Sequence, residues 1–420
     1  MSADAQHKSR TLWLAGMLHG FTHLYQVVLL PLYLPIQAEF QLAGKGQATL
    51  LVTVMMLAYF LPSYPMGVLA DRFSRKKLLG WGLAINALGF IGMSFAPNYA
   101  TALGCMIVAG FGGSFFHPAA TALIARLFPL ATGKALGLIG IGAGAGFFVG
   151  PIYSGWRADQ AGSWRAPLLD LGILGLLGAL LFFWLADEAP PDAAKKKEFA
   201  PAEKMFATPV LWVFFLAAAG AFSLRDFAGN SMGSLGSLFL QGAHGFSVRE
   251  TGVALSAIFL AATISNPLFG HLSDRASMRW GGFVLTMAAL VVALFPHLPD
   301  GWVHVALMAY GFFFMGSYPI VEGALMKAVH DSVRGRVFGL WITIGGLAGN
   351  FAHWLAGHWV ENLGPRAHSP AGYFWIYGGV ALLILLSLLG LPCLHAIRKR
   401  EHPETSATPS AIRHSPSAIG

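Results

Sequence analysis

Three histidines, a glutamine and a few charged residues are the side chains with chemistry to offer. His19 and His23 stand four apart, so on a helix they share one face, and Gln26 lies one turn further along it. His117 sits elsewhere, between Phe116 and Pro118. Arg225 and Asp226 are neighbours, and Glu322 follows later in the chain. Each of these residues interrupts a long apolar stretch. An ionisable group in such a place is costly and faces a cavity or a partner. The chemistry they offer is binding and proton exchange. Carboxylates without a fixed partner take up and release protons most readily, which makes Asp226 and Glu322 the candidate proton carriers. Arg225 suits recognition of an anion. His19, His23, Gln26 and His117 form a polar strip for contact with a substrate. The His-x3-His spacing also fits a metal ion, but no acidic or cysteine ligand is local, so no metal and no other cofactor is expected. A structural reading stands beside the functional one. In it the histidines bond carbonyls of neighbouring helices, and Arg225 pairs with Glu322, or Asp226 with a histidine. Adjacent helical residues point about 100° apart, so Arg225 and Asp226 are not expected simply to neutralise each other.

The elements that must hold these groups are apolar runs near 20 residues long, of which there are about twelve. They lie near 11–34, 47–70, 77–96, 99–125, 134–156, 167–187, 208–238, 248–272, 280–297, 302–328, 336–360 and 372–396. Apolar residues make up 55% of the 420 and charged residues 11%, where a soluble domain carries roughly 25% charged. That balance excludes an ordinary cytosolic enzyme. Alternating strand patterns are missing, which argues against a membrane β-barrel. Two cysteines, Cys105 and Cys393, are too few for a disulfide scaffold or a cysteine-built metal site.

Charge sets the expected orientation. Lys8, Arg10, Arg72, Arg75, Lys76, Lys77, Arg126, Lys134, Lys195, Lys196, Lys197 and Lys204 fall on one side. So do Arg275, Arg279, Lys327, Arg334, Arg336, Arg398, Lys399, Arg400 and Arg413. Only Lys45, Arg157, Arg165, Arg249 and Arg366 fall on the other, with Arg225 left inside a run. By the positive-inside rule both termini are expected in the cytoplasm. The net charge of +8 follows from this topology and does not point to nucleic acid. A charged, Pro/Ala-rich segment at 188–207 reads as a cytoplasmic linker between two six-run bundles, 11–187 and 208–396. Residues 1–10 read as a short cytoplasmic N-terminus and 397–420 as a disordered tail.

The two bundles echo each other. Gly67 through Asp71-Arg72 after the second run matches Gly270 through Asp274-Arg275 after the eighth, an offset of 203. Gly-Ser-Phe-Phe-His-Pro ends at Pro118 in the fourth run, and Gly-Ser-Tyr-Pro ends at Pro319 in the tenth. With an offset of 203, His23 corresponds to Asp226 and Glu322 to Ala119. Duplicated halves of this kind place a substrate site near the bilayer midplane between them.

Gly67-x3-Asp71-Arg72-x-Ser74-Arg75-Lys76-Lys77 resembles the loop signature of the major facilitator superfamily, with Ser74 where Gly is usual. The resemblance implies a conformational latch of Gly67, Asp71, Arg72 and Arg75, joined by Arg126 and repeated at Asp274 and Arg275. Gly137-x8-Gly146-x3-Gly150-Pro151 in the fifth run resembles the family's antiporter signature, in which glycines pack helices closely. His19-Gly-Phe-Thr-His23, Leu30-Pro31-Leu-Tyr33-Leu-Pro35 and Phe116-His117-Pro118 look like the fosmidomycin-resistance type of exporter. That group tends to carry Glu at the place of Ala119. Many drug–proton antiporters have Arg in the region filled by Met106 and Ile107.

The resemblance implies an all-α membrane protein with twelve transmembrane helices in two pseudo-symmetric six-helix bundles. It implies a monomeric, multi-pass transporter of the bacterial inner membrane. Its partners would be a small molecule, protons and the lipid bilayer, with no nucleic acid. The expected activity is proton-coupled export of a small organic compound by alternating access. Import of an organic anion or metal chelate is one alternative, and a non-transporting receptor or scaffold is another. No enzymatic signature is present.

Overall fold

The computed structural model describes residues 3–188, 204–330 and 333–401. Fifteen α-helices carry the chain, and no strand occurs among the described residues. The first half contains α1 (Ala3–Val27), α2 (Tyr33–Glu39), α3 (Lys45–Phe60), α4 (Ser63–Arg72) and α5 (Arg75–Ser94). It continues with α6 (Tyr99–Gly113), α7 (Phe116–Leu127), α8 (Thr132–Ala161) and α9 (Arg165–Leu185). The second half contains α10 (Pro209–Ala243), α11 (Val248–Leu294), α12 (Val303–Ala328), α13 (Arg334–Asn362), α14 (Phe374–Ser387) and α15 (Gly390–Glu401).

Helices dominate because a helix satisfies its own backbone hydrogen bonds, which lipid cannot do. Among the described residues ten stretches are long and apolar enough to cross a bilayer. The pairs α3/α4, α6/α7 and α14/α15 each form one stretch, and α11 carries two, Val248–Ser273 and Met278–His297, the second running past its end at Leu294. Helices α1 and α13 are also long, but their polar residues keep them out of that set. Exposed Leu, Ile, Phe and Trp side chains cover the outer surface, for example Trp184 at 79% and Trp375 at 91%. Apolar side chains left outward need lipid as their solvent.

Prolines mark the bends. Pro118 has no N–H, and its ring crowds the carbonyl four residues back, at Ser114. Helix α6 accordingly stops at Gly113 and α7 restarts at Phe116. Pro319 sits at the equivalent place in α12 without ending it.

Glycine contacts fix the register between the halves. A Cβ on Gly110 would lie 1.9 Å from the Met55 carbonyl oxygen, and one on Gly311 would lie 2.0 Å from that of Ile258. Gly67 faces Pro118 as Gly270 faces Pro319. The second and eighth runs are therefore related by 203 residues, but the fourth and tenth by 201. This corrects the expected pairing of Glu322 with Ala119: Glu322 corresponds to Thr121, and Tyr318 corresponds to His117. A constant offset misses the two-residue difference that arises before Gly110.

The halves join at the end of the bundle away from the chain termini. The Tyr33 hydroxyl bonds Ser234 Oγ at 2.8 Å, Ser237 donates to the Leu30 carbonyl, and Gln241 donates to that of Pro31 at 3.1 Å. Thr53 donates to the Asn350 carbonyl and accepts from Trp354 N–H, both at 3.0 Å. Close packing of Gly155 and Gly252, and of Gly357 against Lys45 and Gly46, brings the two pairs of helices together there.

Several expected boundaries move. Residues 3–10 belong to α1, and residues 397–401 continue α15, because both helices run on past their apolar segments. Most of the expected linker, 189–203, and the tail from 402 onward lie outside the described residues. The side chains of Asp71, Asp274 and Arg275 also lie outside them.

Candidate functional site

A cavity of about 850 Å³ lies between the halves. Its walls come from α1 (Gln26, Val27), α8 (Gly137, Ile141, Phe147), α10 (Gly229, Asn230, Gly233), α11 (Phe259, Thr263, Asn266), α12 (Tyr310, Phe314, Tyr318) and α13 (Asn350, His353). The lining is mainly apolar with a few polar groups, the usual composition of a small-molecule site.

The ionic centre of the second half lies behind this wall. Arg225 is 1% exposed, and its Nε–H and Nη2–H both donate to Asp226 Oδ1, at 3.0 and 2.8 Å. This pairing corrects the expectation that the two neighbours would not neutralise each other. The arginine side chain is long enough to fold back across the 100° that separates them. Its guanidinium also lies 3.9 Å from the Tyr318 ring centroid and 5.4 Å from that of Phe222. The Tyr318 hydroxyl donates to the same Asp226 oxygen at 3.1 Å. Tyr318 lines the cavity, so it stands between the cavity and the ion pair. The Asp226 side chain is 20% exposed. Glu322 lies one turn beyond Tyr318 on α12, within electrostatic range of Arg225 and Asp226. Arg225 Nη1 is buried without a hydrogen-bond partner.

Room for the Asp226 carboxylate comes from α13. A Cβ on Gly345 would lie 2.5 Å from Asp226 Oδ2, and one on Gly349 would lie 3.0 Å from Asp226 Cβ. In α8 the corresponding Gly142 and Gly146 press on the backbone of α1 instead, at Gly16 and Gly20.

The histidines form a cluster in the first half. His19 Nδ1 donates to the Ile139 carbonyl at 3.0 Å. His23 contacts His19 through their Nε2 atoms at 3.0 Å and Gln26 Oε1 through its Nδ1 at 3.0 Å. The His117 ring lies 5.3 Å from that of His19 and 5.6 Å from that of His23. Phe147 screens the cluster from the cavity. Its ring packs 4.4 Å from His23 and stacks 4.9 Å from Phe259 of the other half. Of the four residues expected to form the polar strip, Gln26 lines the cavity and the three histidines sit one layer behind it.

The antiporter-like glycines divide in the same way. Gly146 and Gly150 pack against α1, and the Pro151 carbonyl packs against Gly252 of the other half. A Cβ on Gly137 would meet nothing within 4 Å, and the residue lines the cavity, which corrects its expected packing role. It lies on the open face of α8.

At the terminus side Arg75, expected in the latch, and its neighbour Ser74 meet a partner that the sequence did not single out. Glu188 accepts from the Arg75 N–H at 2.7 Å and from the Ser74 hydroxyl, capping the start of α5. A carboxylate there also meets the positive end of the helix dipole. Beside it, Arg10 pairs with Asp187 at 2.7 Å, and Asp187 N–H donates to Thr11 Oγ1. Arg72 is exposed, and Arg126 sits in the last turn of α7, which packs on α4.

Sequence reasoning did not select Tyr318, Asn230, Asn350 or His353 for the site. His353 lines the cavity and bonds Ser234 at 2.7 Å, which links the cavity wall to Tyr33 at the end away from the termini. Tyr318 precedes Pro319 as His117 precedes Pro118, and that parallel is the signal that marks it.

Comparison with known proteins agrees with this architecture. The chain is 26% identical to the multi-drug resistance efflux pump PmrA of Streptococcus pneumoniae over 90% of its own length and 94% of that protein. It is 26% identical to the multidrug resistance protein MdtG of Serratia proteamaculans, over 78% of this chain and 80% of MdtG. It is similar in fold to a bacterial homolog of the human lysosomal transporter Spinster, solved in an inward-facing and unoccupied conformation. There the TM-score is 0.76 at 17% identity, covering 96% of this chain and 99% of the other. The sequence model of the Major Facilitator Superfamily matches residues 12–353 and again 225–419. The chain thus belongs to the Major Facilitator Superfamily, as an integral multi-pass membrane transporter and not an enzyme.

Proposed function

We propose that this chain is a twelve-span, proton-coupled exporter of a small organic compound, with both termini in the cytoplasm of a bacterial inner membrane. The observation that carries the reading is Tyr318. It lines the cavity and at the same time donates to Asp226, which is held by Arg225. A compound that shifts the Tyr318 ring disturbs the hydrogen bonds and the ring stacking that hold Asp226 and Arg225 in place. Proton uptake at Asp226, relayed with Glu322, then follows from occupancy of the cavity. PmrA, named a multi-drug resistance efflux pump, and MdtG, named a multidrug resistance protein, favour export, as does the fosmidomycin-resistance look of His19 through Pro35. The contacts between the halves at the end away from the termini support an inward-open reading, in which the cavity loads from the cytoplasm. Alternating access requires those contacts to break while the terminus side closes.

The buried, unpaired Nη1 of Arg225 supports a second reading, symport of an organic anion. Proteoliposomes loaded with a pH-sensitive dye and challenged with a compound panel distinguish the two. Export by antiport predicts that an outward substrate gradient drives protons in. Proton movement in the same direction as substrate supports symport, and substrate flux with no proton movement excludes coupling altogether.

A further inference from the structure

His19, His23 and His117 take no part in the coupling scheme, yet their geometry is specific. The Ile139 carbonyl can only accept, so His19 Nδ1 carries a proton, and Nε2 of the neutral ring is a bare lone pair. Gln26 Oε1 is likewise an acceptor, so His23 Nδ1 carries a proton and its Nε2 is bare as well. These two Nε2 atoms face each other at 3.0 Å. Two lone pairs at that distance repel unless a metal ion, or a proton on one of the rings, lies between them. His117 completes the group: one nitrogen from each of the three rings lies within 4.8 Å of the others. Tetrahedral imidazole coordination, with bonds of about 2.0–2.1 Å, sets ligand nitrogens roughly 3.3–3.4 Å apart.

We propose that His19, His23 and His117 bind a divalent d-block cation of the zinc class. The hydrogen bonds already in place are those such a site needs. A ligating histidine donates its second N–H to a carbonyl or other acceptor, which fixes both tautomer and ring orientation. Ile139 does this for His19 and Gln26 does it for His23. Three protein ligands leave a fourth position for water or an exchangeable ligand. Among the described residues no carboxylate belongs to the cluster, so three neutral imidazoles leave the ion its full charge. The cluster joins α1 to α7, so the ion also pins those two helices together.

A half-turn of the Gln26 amide would present its NH2 group to His23. The His23 Nε2–H would then donate to His19, and the cluster would be satisfied without a cation. Glutamate at this position accepts only, which removes that escape. The test is cobalt titration of the purified full-length chain, prepared without a polyhistidine tag and read by visible d–d absorption, with zinc displacement followed by calorimetry. The expected result is one ion per chain, displaced by zinc. His19→Gln and His117→Gln should each weaken affinity tenfold or more, the same change at His358, on α13 and outside the cluster, should not, and Gln26→Glu should tighten it. Size-exclusion profiles report that each variant is folded. Absence of stoichiometric binding by the folded wild-type chain would overturn the proposal, as would unchanged affinity in both His19→Gln and His117→Gln. Neither result depends on transport, so failure here leaves the export reading standing.

Discussion

In the first half, His23 on α1 meets His117, the residue before Pro118; in the second, Asp226 on α10 meets Tyr318, the residue before Pro319. The scaffolds around them match, down to glycines that press on a neighbouring carbonyl at Gly110 and Gly311. The chemistry does not match. The first half places imidazoles at these positions, and the second places an ion pair capped by an aromatic ring. A buried ion pair costs desolvation and holds only while its geometry is intact. A compound in the shared cavity can therefore upset the second half far more than the first. The difference suggests a division of labour within one duplicated frame, with charge movement in the second half and binding in the first.

The largest effect is expected at Asp226. Asp226→Asn leaves the Arg225 charge buried and unpaired, a loss of about 3–5 kcal/mol of stability, and abolishes transport driven by a pH gradient. The double variant Arg225→Gln/Asp226→Asn should recover the melting temperature but not the coupling. His23→Gln at the equivalent place should lose neither. Equal losses at His23 and Asp226 would break the comparison.

The matched glycines sharpen it. A Cβ on Gly142 would lie 1.8 Å from the Gly16 carbonyl oxygen, so Gly142→Ala must spread α1 from α8. Overpacking of this kind costs about 1–3 kcal/mol, which thermal melting in detergent would detect with coupling retained. Gly345→Ala instead displaces the Asp226 carboxylate, and its effect should appear in proton-coupled flux more than in melting.

Smaller effects follow from single contacts. Arg225→Lys keeps the charge but loses the planar fork and the stack on Tyr318, worth about 0.5–2 kcal/mol. It should weaken binding of an anionic compound more than that of a neutral one, as measured by affinity on the purified protein. The smallest change is expected at the terminus side. Glu188→Gln removes a charge at the start of α5, worth about 0.3–1 kcal/mol. It should slow turnover without changing substrate affinity, whereas lost affinity with unchanged turnover would contradict a conformational role.

Much of this frame was legible before any coordinates. Apolar runs of bilayer length announce helices, and the charge that interrupts them marks the interior. The two halves were visible because Gly67 and Gly270 recur with the same Asp-Arg turn after them, and each faces the proline of the neighbouring run. What escaped was side-chain reach and depth. Arg225 and Asp226 looked divergent on a helical wheel, yet the long guanidinium side chain folds back to pair with its neighbour. Gly137 looked like a packing residue because spacing does not say which face of α8 is open. Tyr318 escaped because a tyrosine in an apolar run resembles core, and its role emerges only when α12 is placed against α10. Glu188 escaped because its partners, Ser74 and Arg75, lie far away in the chain.

The most direct test is substrate-linked proton flux in proteoliposomes for two variants, Asp226→Asn and the triple His19→Gln/His23→Gln/His117→Gln. The account predicts that Asp226→Asn loses proton movement while still exchanging substrate, and that the triple-histidine variant keeps its proton movement. Normal proton flux in Asp226→Asn together with its loss in the triple variant would place coupling in the first half and contradict the account.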